Sequence, residues 1–358
     1  MAIVRLTSHR IHLPWLDPEW RFVSGPVQAV TGNVVEITND RQQTGHGYFS
    51  ATSPGSAPLA TLEAEFERLA SMLPGSDEHS VQPLLAQLDG RAAGLHPLRA
   101  ALDCALHDLA ARSSRRPLHD LFGGRRHDAF TNARVVALKS PQAMAAIAAG
   151  LAAEGYGFLK VKLSGDEALD VARVREVRAA AGTRVRLIAD ANETYQPQAA
   201  IRVIGRLVDF GVELIEQPTP GADLAGLAQV TRAVPITVEA DESAPDLTAI
   251  QRIAAARAAD SVSLRIANLG GLTNTVRAVA LCEAEGLEYR FGAMFGASVL
   301  HAHTLHLAST LKLPTVPHEF SEFNLFQGDP FAGLRVEHGM VRVPGGPGTG
   351  LTFTAPRP

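Results

Sequence analysis

The stretch Gly157–Gly165, "GFLKVKLSG", carries two lysines two residues apart inside an apolar run. Side chains alternate faces along a strand, so Lys160 and Lys162 point one way while Leu159 and Val161 point the other. Paired ammonium groups suit an edge strand with solvated lysines. They also suit a catalytic base whose proton affinity is lowered by a second cation and by partial burial. Charged residues recur downstream at the ends of strand-like segments: Asp190 closes "VRLIAD", Glu216 closes "VELIE" and Asp241 closes "ITVEAD". From Lys162 through Asp190, Glu216 and Asp241 to Arg265 the steps are 28, 26, 25 and 24 residues, and Glu319 lies 54 residues beyond. Each step is one strand plus one helix. A charged side chain thus ends strands two to six and strand eight, on the face where (β/α) barrels carry their chemistry.

Acidic residues after strands often cap helices or form loop salt bridges, and Asp241 is placed to cap the helix that follows. Three at successive strand ends favour a shared counter-charge, because carboxylates do not gather in a low dielectric without one. A hard divalent cation, Mg²⁺, suits carboxylates together with water and substrate oxygens. Placed on the oxygens of a small carboxylate substrate, it stabilises the enediolate left when a lysine across the site removes the α-proton. In that reading Lys162 is the base, and Lys160 is the cation that keeps it partly deprotonated.

The motifs "KVK" (160–162), "DAN" (190–192), "IEQP" (215–218), "ADES" (240–243) and "GGLT" (270–273) resemble, in order and spacing, the enolase superfamily. Within it the chain is similar to the mandelate racemase/muconate lactonizing enzyme family, muconate lactonizing enzyme subgroup. The resemblance spans essentially the whole chain. It implies Mg²⁺ on Asp190, Glu216 and Asp241, Lys162 as base, and an acidic residue, Glu319, after the eighth strand. It also implies a capping domain whose loops select the substrate, which assigns Asn192, Trp20, Phe22, Tyr48 and Met294 to substrate binding. A homo-oligomer is a further implication.

The chain departs from that subgroup at Arg265, in "SVSLRIANLGG", where a lysine is usual. Arginine holds its proton too tightly to act readily as a base, but its planar fork clamps a carboxylate or steadies an enolate. A salt bridge from Arg265 to Asp241 is an equal alternative. One-base chemistry is therefore the leading expectation: elimination (a dehydratase) or cycloisomerisation. The alternatives are a racemase or epimerase of an amino-acid derivative with Arg265 in the second-lysine position, and a non-catalytic metal-binding relative. The last would leave Lys162 buried in a salt bridge.

The elements that must position these residues read as an α/β chain of 358 residues, long enough for a large core and a second module. Residues 1–130 mix strands and helices and form an N-terminal α+β capping domain. Residues 131–320 alternate strands and helices as a (β/α) TIM-type barrel, with "PTVPHEF" as the eighth strand. Residues 321–358 contain a hairpin turning at His338-Gly339 and rejoin the cap. Strand alternation turns His318 away from an inward Glu319, and His46 reads as a turn residue in "TGHGYFS". Glu242 reads equally as support for the site and as a charge at a helix start. A net charge of −4 excludes a broad basic surface for nucleic acid. The absence of a long apolar run argues against a membrane span, and the start "MAIVRLTSHR" lacks a signal-peptide core, so a cytoplasmic protein is expected. Two cysteines, Cys104 and Cys282, allow no disulfide framework and read as buried thiols.

Overall fold

A computed structural model describes residues 1–23, 25–53, 55–86, 89 and 94–354. Seven parallel strands form one curled sheet in which each neighbour is also the next in sequence. They are Ala133–Val136, Phe158–Lys162, Arg186–Asp190, Val212–Glu216, Thr237–Ala240, Ser261–Leu264 and Glu288–Phe291, here the first to seventh barrel strands. Parallel neighbours need helical crossovers, and the intervening segments supply them. The caps are local and legible: Ser140, Asp166, Asp223 and Asp246 each accept a hydrogen bond from the backbone N–H three residues on. Asp241 caps no helix; Asp246 takes that role.

The expected eighth strand is not a regular strand. Pro314 and Pro317 lack the N–H groups a ladder requires. The segment still closes the barrel through two bonds: Glu319 N–H donates to Phe291 O (2.9 Å) and Ala133 N–H to His318 O (3.0 Å). At one end the barrel is filled by Ala133, Ile188, Leu214 and Val316, with Phe158 against them. Charged side chains occupy the other end.

The cap is a three-stranded antiparallel sheet of Ile3–Pro14, Ala29–Asn39 and Thr44–Ser50, crossed by the helix His96–Ser113. "TGHGYFS" is a strand here, and its glycines allow that helix to approach. A Cβ on Gly45 would lie 2.2 Å from Ala105 O, and one on Gly47 2.0 Å from Ala101 O. His46, on the opposite face, is buried between Glu36 and Asp108 instead of sitting in a turn. The tail hairpin, Val336–Glu337 with Met340–Arg342, turns at His338 and Gly339, both in the left-handed region, and adds to the strand Ala129–Thr131. Farther on, Thr349 N–H donates to Asp108 Oδ1 (2.7 Å), which ties the tail to the cap helix. Both cysteines are buried and free. Among the described residues, no helix is long and apolar enough to cross a membrane.

Candidate active site

Parallel register brings the site together. Lys162 pairs with Asp190 across one strand boundary, and Asp190 with Glu216 across the next. Asp241 lies one residue past the end of the fifth strand. The two lysines share a face, as alternation requires, but meet different surroundings. Lys160 is fully buried; its Nζ lies 3.0 Å from Asp190 Oδ2, 2.7 Å from Glu216 Oε2 and 3.2 Å from Glu319 Oε1. Burial disfavours its charge, but these three carboxylates outweigh burial and raise its pKa well above the ordinary lysine value. Lys162 lies nearer the mouth, donating to Asp190 Oδ2 (2.6 Å) and Asn192 Oδ1 (2.7 Å). Burial works against ionised Glu319 too, yet Lys160 and Arg290 hold it down at about 2.

Arg265, just past the sixth strand, pairs with Asp241 and lies 3.8 Å from Glu216 Oε1. Burial opposes its charge, but Asp241, Glu216 and Glu242 outweigh that and lift its pKa still higher. Glu216 Oε1 itself is buried without a hydrogen-bond partner among the described residues. Asn192, at φ +40°, bridges the lysine to a further acid: its amide donates to Glu242 Oε1 (3.0 Å) while its carbonyl accepts from Lys162. No three His, Cys, Asp or Glu side chains among the described residues converge closely enough to form a metal cluster as they stand. Lysine and arginine ends lie between the carboxylates instead.

A cavity of about 540 Å³ opens over this cluster. Lys160, Lys162, Asn192, Glu242 and Arg265 form its floor, and Phe22, Val23, Val27, Val30 and Phe295 its apolar side. Of the expected substrate contacts, Phe22 and Asn192 face this cavity. Trp20 does not line it: it is buried and stacked on Trp15, ring centroids 4.5 Å apart, and it packs behind Phe22. Tyr48 and Met294 line a separate recess of about 30 Å³ that shares Arg265 with the main cavity.

Residues 143–357 match the family described as "Enolase C-terminal domain-like", and residues 15–123 match the N-terminal domain of mandelate racemase / muconate lactonizing enzyme. The chain belongs to the mandelate racemase/muconate lactonizing enzyme family. It is 32% identical over 293 residues to the L-Ala-D/L-Glu epimerase of Clostridium acetobutylicum, covering 81% of this chain and 82% of that one. To the chloromuconate cycloisomerase of Cupriavidus necator it is 31% identical over 295 residues, 82% and 78% of the two chains. The substrate-liganded L-Ala-D/L-Glu epimerase from Bacillus subtilis superposes with a TM-score of 0.93 at 28% identity, over 99% of each chain.

Within this mandelate racemase/muconate lactonizing enzyme barrel, the motif reading gave three residues no role. Arg290, on the seventh strand, and Glu239, two residues before Asp241 and on the same strand face, are buried and ion-paired. Gln217, at φ +37°, is also buried; its Oε1 accepts from the backbone N–H groups of Asp241 (2.8 Å) and Ser243 (3.0 Å). That amide holds the loop carrying Asp241. The strand period points to Glu239, and a charge set between Tyr289 and Phe291 points to Arg290. His318 turns away from the cluster as expected, its Nδ1 accepting from Phe291 N–H (3.0 Å).

Proposed function

We propose that the protein is a Mg²⁺-dependent racemase or epimerase of an amino-acid derivative, acting on the α-proton of a small carboxylate. The observation that carries this reading is that Lys162 and Arg265, from the second and sixth strands, face one cavity across the carboxylate cluster. The epimerases among the relatives support it. Lys162 takes the α-proton at Nζ, held on line by Asn192, whose orientation is set in turn by Glu242. Arg265, on the same cavity, returns a proton to the opposite face of the α-carbon while Lys162 keeps the one it took, and exchange with solvent resets both groups. The apolar side of the cavity covers the substrate and keeps water from the carbanion.

The residues fit a divalent ion. Six carboxyl groups (Asp190, Glu216, Glu239, Asp241, Glu242 and Glu319) meet four cations, Lys160, Lys162, Arg265 and Arg290, and Glu216 Oε1 lacks a hydrogen-bond partner among the described residues. Counted as ionised, the six exceed the four cations by the charge of one such ion; burial with Glu242 and Glu216 nearby keeps Asp241 well above the ordinary carboxylate value while that charge is missing, and all the donors are hard oxygens. Asp190, Glu216 and Asp241 would hold it. When bound, Mg²⁺ supplies positive charge to the substrate carboxylate as the α-proton leaves.

The test is incubation in D₂O with Mg²⁺ and a panel of dipeptides and N-acyl amino acids, followed by proton NMR and chiral analysis. The reading requires label in product and in recovered substrate, with inversion. One specific observation favours a second reading: Arg265 is held protonated on Asp241, which leaves Lys162 as the one base. Exchange without inversion, or loss of a leaving group, would then point to elimination or cycloisomerisation. Lys162 also has the ion pair expected of a non-catalytic relative, yet it faces the cavity. Absence of any exchange across the panel would favour that relative.

A further inference from the structure

Interior layers of (β/α) barrels are ordinarily filled by branched apolar side chains. This barrel instead buries Arg290, 1% exposed, in the middle of the seventh strand. Its Nε donates to Glu239 Oε2 at 2.9 Å, and its Nη2 lies 2.6 Å from Glu239 Oε1. Nη2 also lies 2.6 Å from Glu216 Oε2, and Nη1 lies 3.1 Å from Glu319 Oε1. Stability does not account for such a group, because apolar residues of equal volume commonly do as well or better in place of a buried ion pair. Its effect is on Glu216. Oε2 of that carboxylate is taken by Arg290 and by Lys160, while Oε1 has no hydrogen-bond partner. Lys160 alone would not fix the orientation, since it is a point charge on a flexible stem shared with Asp190 and Glu319. The planar guanidinium, held rigid by Glu239, does.

We propose that Arg290, with Glu239 as its counter-charge, is a positioning residue that turns Glu216 so that Oε1 alone is offered to the divalent ion. This rests on the metal reading above. The experiment is calorimetric titration of the metal-free full-length protein with MgCl₂, alongside thermal melts, for wild type, Arg290→Lys and the charge-neutral pair Arg290→Met/Glu239→Met. Removing the support of a metal ligand typically weakens metal binding about 10–100-fold. The double variant should therefore keep a melting temperature near that of wild type while its Mg²⁺ affinity falls by about that factor. Arg290→Lys, which keeps one charge but loses the fork, should fall between the two. Wild-type affinity in the folded double variant would overturn the proposal and leave the pair as core filling. Should the double variant not fold, Arg290→Lys decides: weakened binding supports the proposal and unchanged binding overturns it. A wild type that binds no Mg²⁺ removes the metal reading itself, and this inference with it.

Discussion

At the level of single residues, the lysine pair divides its labour by depth. Both line the cavity floor, but Lys162 shares its amine with Asp190 and Asn192 near the mouth, while Lys160 lies beneath it, fully buried among three carboxylates. Replacing Lys162 by Ala should lower α-proton exchange by about 10²–10⁴-fold while Mg²⁺ affinity stays nearly intact, since the base is lost and the carboxylates remain. NMR exchange and calorimetry on the same sample check this. Lys160→Met should act differently. It strips the shared cation from a buried acidic cluster, a change that costs about 3–5 kcal/mol of stability and is read by denaturant unfolding. Arg265→Lys tests the second face. A lysine there can release its proton more readily, so the ratio of inversion to exchange should rise; an unchanged ratio would mean that the arginine is not what limits inversion.

At the level of elements, much was legible because its causes are local. The tail turn follows from His338-Gly339, which both take positive φ, but the helix cap expected at Asp241 lies five residues on, at Asp246. The eighth strand was not legible as it stands, because its prolines break the ladder and the backbone bonds that close the barrel run to Phe291 and Ala133, the latter far away in sequence. Loop aromatics were half-legible: a strand period assigns a face, but nothing comparable directs Trp20 beneath Phe22 and Phe22 into the cavity. The cap strand offers a sharp test of close approach. Gly47→Ala sets a methyl against Ala101 O and should cost about 1–3 kcal/mol in chemical unfolding. His46, in the same strand, couples cap packing to pH. Burial lowers its pKa, but Asp108 and Glu36 more than offset this and raise it above 6.5. A raised pKa means the folded cap favours the cation. Its contribution is complete below 6.5 and is lost as pH rises through the higher folded value. The difference in melting temperature between wild type and His46→Gln should therefore shrink from pH 6 upward. A difference that grows with pH would contradict the ion pairs.

At the level of the whole molecule, the near-equal steps from Lys162 to Arg265 foretell charged residues on one rim, yet spacing alone does not say which carboxylates are already partnered. The buried layer of Glu239 and Arg290 supplies that answer, and it depends on strands far apart in sequence. The charge excess of the assembled barrel has a thermodynamic consequence. A ligand that binds only the folded state stabilises it by RT ln(1 + [L]/Kd), about 2.7 kcal/mol at a hundredfold excess over Kd. Saturating Mg²⁺ should therefore raise the melting temperature by several degrees, and chelation should reverse the rise. Glu216→Asn removes a carboxylate from the rim and should abolish the increment, although the variant's own melting temperature shifts as Lys160 and Arg290 lose a partner. The comparison that matters is the Mg²⁺-dependent increment within each variant, not the absolute temperature. An increment that persists unchanged in Glu216→Asn would put the ion elsewhere in the molecule and detach the carboxylate rim from metal binding.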